Sequence, residues 1–286
     1  VAVKMPTWMI GALLRPLPSA RRAAMRIRLS ADEPISGKRI VVTGGSSGIG
    51  RATATRLAEL GGEIVLVARR QAELDLVRDE VVRAGGRAHA LACDLTDPRA
   101  VEQLAAEITD RCGSVDILIN NAGRSIRRTV DESFGRLHDF ERTMAVNYFG
   151  PVGLTLALLP SMLERGRGHI INVATWGVPA GTMPKFAAYH GSKSALTAFG
   201  RSLAAETAAR GIHVTTLHFP LVHTPMTAPT ADYRSLPALS PSAAAEWMIT
   251  AIRTKPTALR PAYVSLIRAA ATISPTLADS LVFAAT

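Results

Sequence analysis

The chain of 286 residues carries only two cysteines, Cys93 and Cys112. That is too few for a disulfide framework, and in an intracellular-looking sequence both are expected as free thiols. Its seven histidines show no ligand spacing with nearby cysteines or carboxylates, so no metal is expected. No apolar run approaches the roughly 18 residues of a membrane span. The stretch from Trp8 to Leu14 is too short, only Lys4 precedes it and no clean small-residue cleavage site follows, so it does not read as a signal peptide. Acidic residues are missing from residues 1–30. Lys4, Arg15, Arg21, Arg22, Arg26 and Arg28 give that segment +6 of the formal +10. A basic leader, not a basic protein, therefore sets the charge. Aromatics do not interleave with that charge, which argues against nucleic-acid binding. Basic and partly apolar, residues 8–28 suit contact with an anionic lipid surface; a loosely docked leader is the alternative. The expected location is cytoplasmic, with membrane association through the leader.

What is present is an apolar content of 48% with interspersed charge, the make-up of a globular chain. Patterning begins after Gly37. Lys38–Thr43 reads as a strand, residues 43–50 as a glycine turn and Arg51–Leu60 as a helix. Strand Glu63–Ala68, helix Gln71–Ala84, strand Arg87–Cys93, helix Pro98–Cys112 and strand Val115–Ile119 follow. Asp131–Tyr148 reads as a long helix, and Pro151 as the start of another. Then come strand Gly168–Ala174, helix Pro184–Arg210 and strand Gly211–His218. Residues 220–241 form a proline-rich excursion without period, the kind of long loop that often binds substrate. Helix Ser242–Thr254 follows, with Leu259–Leu266 as a last strand. Alternation at this spacing predicts an α/β fold, a Rossmann-type doubly wound parallel sheet built of right-handed βαβ units. The domain scheme is a leader over residues 1–35, one Rossmann domain over 36–268 and a tail over 269–286.

Two features carry chemistry. A glycine turn between a strand and a helix lets backbone amides approach a pyrophosphate, and the helix start adds positive potential. About 20 residues on, an acid would bind the ribose hydroxyls of NAD. Arg69 and Arg70 stand there instead, and a guanidinium suits a 2′-phosphate, so NADP is favoured over NAD, with Arg69 the better candidate. A solvated pair at a helix start is the alternative. The second feature is Tyr189-His190-Gly191-Ser192-Lys193. Residues four apart share a helix face. A tyrosine titrates near pH 10 on its own, and a cation beside it favours the phenolate. Alone, this spacing also fits an ordinary exposed face.

In order and at the right separations, Thr43-Gly44-x-x-x-Gly48-x-Gly50, Asp94, Asn120-Asn121-Ala122-Gly123, Asn147, Thr175 and Tyr189-x-x-x-Lys193 resemble the short-chain dehydrogenase/reductase family from Gly37 to about Thr254. The resemblance implies about seven strands in order 3-2-1-4-5-6-7 and a homodimer or homotetramer. It implies that Tyr189 exchanges a proton with the carbonyl oxygen. Lys193 would lower the pKa of Tyr189 and hold the nicotinamide ribose, and Asn147 would hold a relay water. Cofactor contacts are implied for Thr43, Gly44, Ser46, Ser47, Gly48, Ile49 and Gly50 of the turn and for Asp94 and Leu95. Asn120, Asn121, Ala122, Gly123, Pro220, Val222 and Thr224 complete that set. Thr175 stands where the family usually has serine; it keeps the hydroxyl, but its β-branch narrows the rotamers. A strand-end threonine bonding its own backbone is the alternative. Pro220-Leu221 replaces the common Pro-Gly.

A narrower likeness lies outside these motifs. Residues 120–128, His138-Asp139-Phe140-Glu141-Arg142-Thr143-Met144, residues 220–230 and Leu239-Ser240-Pro241 are similar to bacterial fatty acyl-CoA reductases of this family. That implies NADPH-dependent reduction of a long-chain acyl-CoA or a fatty aldehyde. Arg124, Arg127 and Arg128 suit the phosphates of CoA or of a pantetheine arm, or else form a charged loop or subunit contact. Trp176, Phe186, Phe219 and Tyr233 suit an apolar channel, or ordinary core. Neither cysteine falls near Tyr189 in motif order, so no enzyme thioester is expected. A ketone or secondary-alcohol dehydrogenase, and a cofactor-binding regulator without catalysis, stay open as alternatives.

Overall fold

A computed structural model describes residues 34–284, together with Leu14. The reading of residues 8–28 as a lipid-contacting segment lies outside the described residues, Leu14 apart. Seven parallel strands lie in the order β3-β2-β1-β4-β5-β6-β7. They are β1 Arg39–Thr43, β2 Glu63–Ala68, β3 Arg87–Ala92, β4 Ile117–Asn120, β5 Gly168–Thr175, β6 Ile212–Phe219 and β7 Ala258–Leu259. The helices are α1 Gly48–Glu59, α2 Gln71–Arg83, α3 Pro98–Cys112, α4 Leu137–Met144, α5 Gly150–Glu164, a short α6 Gly177–Ala180, α7 Ala187–Thr207, α8 Pro241–Thr254, α9 Ala262–Ile273 and α10 Pro275–Ala284.

Both faces of the sheet are covered, which is why its strands read as unbroken apolar runs. Ile40, Val42, Ile64 and Leu66 face Leu57 of α1, Leu74 of α2 and Met248 of α8. Val41, Val65 and Val67 face the other way, in one core with Ile108 of α3, Leu158 of α5 and Leu203 of α7. Each such side chain contributes about 1.5–3 kcal/mol by leaving water. Cys93 and Cys112 are buried free thiols in this second core. Burial pushes the Cys93 thiol up to about 11.

Four elements differ from the sequence reading. Asp131–Ser133 is only a 3₁₀ turn, and Gly135, at φ 69°, ends it before α4 begins. Pro151 then fails to start a separate helix. It follows a π turn, Ala145–Phe149, that joins α4 to α5. Widening the helix there makes room for a residue without an N–H. The joined helix runs over Leu137–Glu164, 28 residues, long and apolar enough by composition to cross a membrane. Its residues Thr143, Leu154, Leu158 and Met162 are buried within the domain. α7 starts at Ala187 rather than Pro184, because Lys185 sits at φ 65°. The last strand stops after two residues, at Leu259, because Pro261 caps α9. The boundary drawn at residue 268 therefore falls inside a helix.

The strand order reverses between β1 and β4, and the turns after their carboxyl ends diverge there into a crevice. Thr43 closes its floor. Its Oγ1 donates to the Ile119 carbonyl at 3.1 Å and accepts from the N–H groups of Asn121 at 2.9 Å and Ala122 at 3.0 Å.

Candidate active site

Tyr189 and Lys193 occupy one face of α7, directed at the end of β5. The Lys193 ammonium is buried and donates to the Val173 carbonyl at 2.8 Å. Thr175, the last residue of β5, hydrogen-bonds the Tyr189 phenol through its side chain. Its main chain is pinned from β6: Trp176 N–H donates to the Phe219 carbonyl at 2.9 Å, and His218 Nδ1 lies 3.2 Å from the Thr175 carbonyl. His218 is buried, which lowers its pKa to about 4, so Nδ1–H donates from a neutral ring.

Asn147 sits in the π turn, fully buried. Its Oδ1 accepts from Arg124 N–H at 2.8 Å, and its Nδ2 donates to the Arg124 carbonyl and to Ser192 Oγ, each at 2.9 Å. Ser192 Oγ in turn donates to the Tyr189 carbonyl at 2.7 Å. Asn147 thus clamps the loop after β4 to the catalytic-looking turn of α7. A π turn interrupts the regular main-chain pattern and is common at functional sites. Ser192 was not marked by the sequence, since a serine inside a helix has no pattern of its own.

Burial raises Tyr189 to about 12; Tyr233 adds to the rise, and the Thr175 hydrogen bond opposes it. Burial also lowers Lys193 to about 8. Desolvation is the largest influence on both groups, and the Lys193 ammonium is turned to Val173.

One cleft of about 580 Å³ joins this group to the glycine turn. Gly44, Ser47, Gly48, Ile49, Asn121, Ala122, Gly123, Pro220, Val222 and Thr224 line it beside Thr175, Tyr189 and Lys193. The turn needs glycine where the backbone crosses itself. Gly44 has φ 66°, and a Cβ on Gly50 would lie 2.1 Å from the Gly44 carbonyl oxygen. Ser47 caps α1 without a side-chain cap bond, so the first-turn amides stay available to an anion. These observations fit a dinucleotide pyrophosphate.

Thr43, Ser46, Gly50, Arg69, Asp94, Leu95 and Asn147 do not line the cleft. Thr43 and Gly50 shape the turn from beneath. Leu95 is buried under Gly150 at the start of α5. Ser46, Arg69 and Asp94 gather at the ends of β1, β2 and β3. Arg70 is occupied there, with Nη2 donating to Glu73 Oε2 at 2.7 Å. Glu73 is held below the usual carboxylate range first by Arg70, with Ser46 adding a hydrogen bond. Arg69 stays exposed. Asp94 accepts from Thr96 N–H at 3.0 Å, the main cause of its lowered pKa, and Arg69 lowers it further. Asn120 is placed otherwise than the motif implied. It is buried away from the cleft, and its Nδ2 donates to Asn172 Oδ1 at 2.9 Å and Thr155 Oγ1 at 3.1 Å.

The far half of the cleft is apolar. Trp176, Phe186, Phe219 and Tyr233 all line it, as do Met183, Leu221, Met226 and Leu236. Leu14 and Tyr263 line it too. Tyr263 packs edge-on against Trp176 with centroids 5.8 Å apart; it escaped notice because its segment read as a strand. The arginines of the loop after β4 divide. Arg124 is exposed. Arg127 pairs with Asp232 at 3.3 Å. Arg128 lies 3.7 Å from Asp139, which Arg136 binds at 2.8 Å and Arg142 also binds. Burial works to raise Asp139, but Arg142 and Arg136 hold it at about 2.

The short chain dehydrogenase family matches over residues 38–234. The chain belongs to the short-chain dehydrogenase/reductase family, and it is an NAD(P)-dependent oxidoreductase acting on a small-molecule carbonyl. A fatty acyl-CoA reductase of Mycobacterium tuberculosis is 49% identical over 247 residues, 86% of this chain and 84% of that protein. A fatty acyl-CoA reductase of Acinetobacter baylyi is 50% identical over 224 residues, 78% of this chain and 76% of that protein. Among solved structures, a short-chain dehydrogenase from Streptomyces avermitilis superposes with a TM-score of 0.72 at 30% identity, covering 85% of this chain and 94% of that one. A metagenomic short-chain oxidoreductase in complex with NADP gives 0.66 at 31%, covering 78% and 93%.

Proposed function

We propose that this enzyme reduces long-chain acyl-CoA to the fatty aldehyde with NADPH. The observation that carries the reading is the single cleft, glycine turn at one end and apolar chamber at the other, with Tyr189, Lys193 and Thr175 between. Relatives near half identity that are named fatty acyl-CoA reductases support the substrate class.

The amides at the start of α1 and the glycine turn bind the pyrophosphate, Arg69 meets the 2′-phosphate, and Lys193 takes the nicotinamide ribose. Bound NADPH supplies the hydride. Tyr189 and Thr175 present two hydroxyls to the substrate carbonyl oxygen. Negative charge developing there is met by donors already desolvated and in place, where such stabilisation is strongest. Tyr189 then gives its proton to that oxygen. Asn147 keeps the loop after β4 and the Tyr189 turn in one geometry, and its place in the π turn suits it to a water-borne proton relay.

The test is NADPH oxidation with palmitoyl-CoA, with released CoA thiol measured alongside. Equal amounts of thiol and oxidised cofactor support the reading. Turnover of a ketone or secondary alcohol without any thiol release replaces it with a ketone reductase. NADPH binding with no turnover of any carbonyl would make the protein a cofactor-binding regulator, and Tyr189→Phe with unchanged turnover would remove Tyr189 from the chemistry.

The leader, with its excess of arginine, is proposed to hold the enzyme at an anionic lipid surface, and loss of liposome sedimentation on deleting residues 1–30 tests this. Dimers or tetramers, as in the family, would cover exposed Leu137, Phe149 and Leu156; light scattering reads the mass directly.

A further inference from the structure

Reducing a thioester asks for something that reducing a ketone does not. After hydride addition, the carbon–sulfur bond must break, and the sulfur leaves with the bonding pair. Tyr189 and Thr175 are engaged at the oxygen. A separate group is needed at the sulfur.

The excursion after β6 brings a second phenol to the cleft. Tyr233 lies in the 3₁₀ turn Ala231–Ser235 and lines the same cavity as Tyr189. The two rings are near enough for Tyr233 to disfavour ionisation of Tyr189. Arg127 fixes Tyr233 in place. The guanidinium hydrogen-bonds the Tyr233 side chain and bridges to Asp232 at 3.3 Å. Asp232 is 70% exposed at its side chain and Arg127 28%. The carboxylate is therefore solvated and anchors the turn, while the more buried cation gives the charge-assisted bond to the phenol. Arg127 belongs to the loop that follows Gly123, and Asn147 clamps that loop at Arg124. The two proton donors are thus tied to one frame.

We infer that Tyr233, backed by Arg127, is the hydrogen-bond donor to the departing sulfur, so that it is a catalytic residue for thioester cleavage. This rests on the acyl-CoA reading. Hydride from NADPH reduces the carbonyl carbon, and Tyr189 protonates the oxygen to give a hemithioacetal. Its hydroxyl proton returns to Tyr189 as the C=O bond re-forms and the C–S bond breaks. The sulfur leaves as a thiolate, hydrogen-bonded by Tyr233 in the field of Arg127, and takes a proton from solvent. The sum is acyl-CoA, NADPH and a proton going to aldehyde, free CoA thiol and NADP⁺.

The experiment compares Tyr233→Phe with wild type on two thioesters of one acyl chain: the CoA ester and an aryl thioester with a more acidic leaving thiol. A hydrogen-bond donor aimed at charge developing in the transition state contributes on the order of 10²-fold. Tyr233→Phe is expected to lower kcat on the CoA ester by about that factor and on the aryl thioester by less than about fivefold. Arg127→Gln is expected to follow the same pattern. An equal loss on both esters, or none on the CoA ester, overturns the inference and leaves Tyr233 as a wall of the cleft. A readout apart from turnover is the titration of pantetheine thiol bound to the enzyme without cofactor, followed by thiolate absorbance. Its pKa is expected to fall by about one unit in wild type and not in Tyr233→Phe, where the donor is gone; no fall in wild type overturns the inference. Wild type that releases no CoA thiol at all refutes the acyl-CoA reading itself, a distinct result from either.

Discussion

Thr175 differs from the family's usual serine by one methyl group, and its surroundings say what that methyl does. The hydroxyl bonds Tyr189, and its only other neighbour of note is the Met183 sulfur at 4.0 Å. The branch therefore fixes a rotamer already directed at the phenol. Thr175→Ser is expected to change kcat by less than about threefold, while Thr175→Ala removes one oxyanion donor and lowers kcat by about 10²-fold. Steady-state kinetics on both variants checks this. Lys193 allows a prediction on stability. Its folded pKa of about 8 lies below the ordinary 10.5. Between those values the unfolded chain holds the extra proton, so stability without cofactor rises with pH, and the gain is lost as pH falls through 8. Lys193→Met should remove that slope. At pH 7 it should stabilise the unliganded protein by about 1–3 kcal/mol, because the desolvated ammonium is gone. Urea midpoints at pH 7 and pH 9 measure both effects.

At the scale of elements, the tips of β1, β2 and β3 carry the proposed 2′-phosphate site. Arg70 is bound to Glu73, whose other neighbour is Ser46 of the glycine turn. Arg69 is left exposed at the same corner. Arg69→Ala is expected to weaken NADPH binding about tenfold and NADH binding hardly at all, since the lost charge–phosphate contact is worth about 1.4 kcal/mol. Fluorescence titration with each nucleotide decides it. These tips were legible in the sequence because a sheet buried on both faces leaves polar residues only where strands end. Their roles were less legible. Thr43 and Asn120 belong to a motif, yet they satisfy neighbouring strand ends, since buried polar atoms must find partners. The union of α4 and α5 was hidden for the opposite reason. Proline at position 151 signals a helix start, and a π turn has no sequence signature that cancels it.

Across the whole molecule, the sheet's carboxyl edge holds the cleft, and the C-terminal helices close one side of it. Tyr263 on α9 meets Trp176, and Phe283 on α10 lies with its ring 5.9 Å from Lys185 Nζ. Lys185 holds a left-handed φ of 65° beside Phe186, a wall of the apolar chamber, and its carbonyl accepts from Arg128 N–H at 2.6 Å. A non-glycine residue in that conformation costs about 1–3 kcal/mol and persists only where its neighbours hold it. α10 supplies one of those neighbours, while the glycine turn and β1 lie apart from it. Ending the chain after Ser274 should therefore leave the fold and the NADPH dissociation constant unchanged. It should loosen the chamber wall, where a loss of about 1 kcal/mol raises KM about fivefold. On the proposed acyl-CoA reading, the rise should appear with a sixteen-carbon ester and fade with an eight-carbon one where that wall meets the far end of the longer chain. Kinetics with the two esters, beside circular dichroism of the truncated enzyme, tests it. An equal rise for both chain lengths would assign α10 to general stability rather than to the acyl chamber.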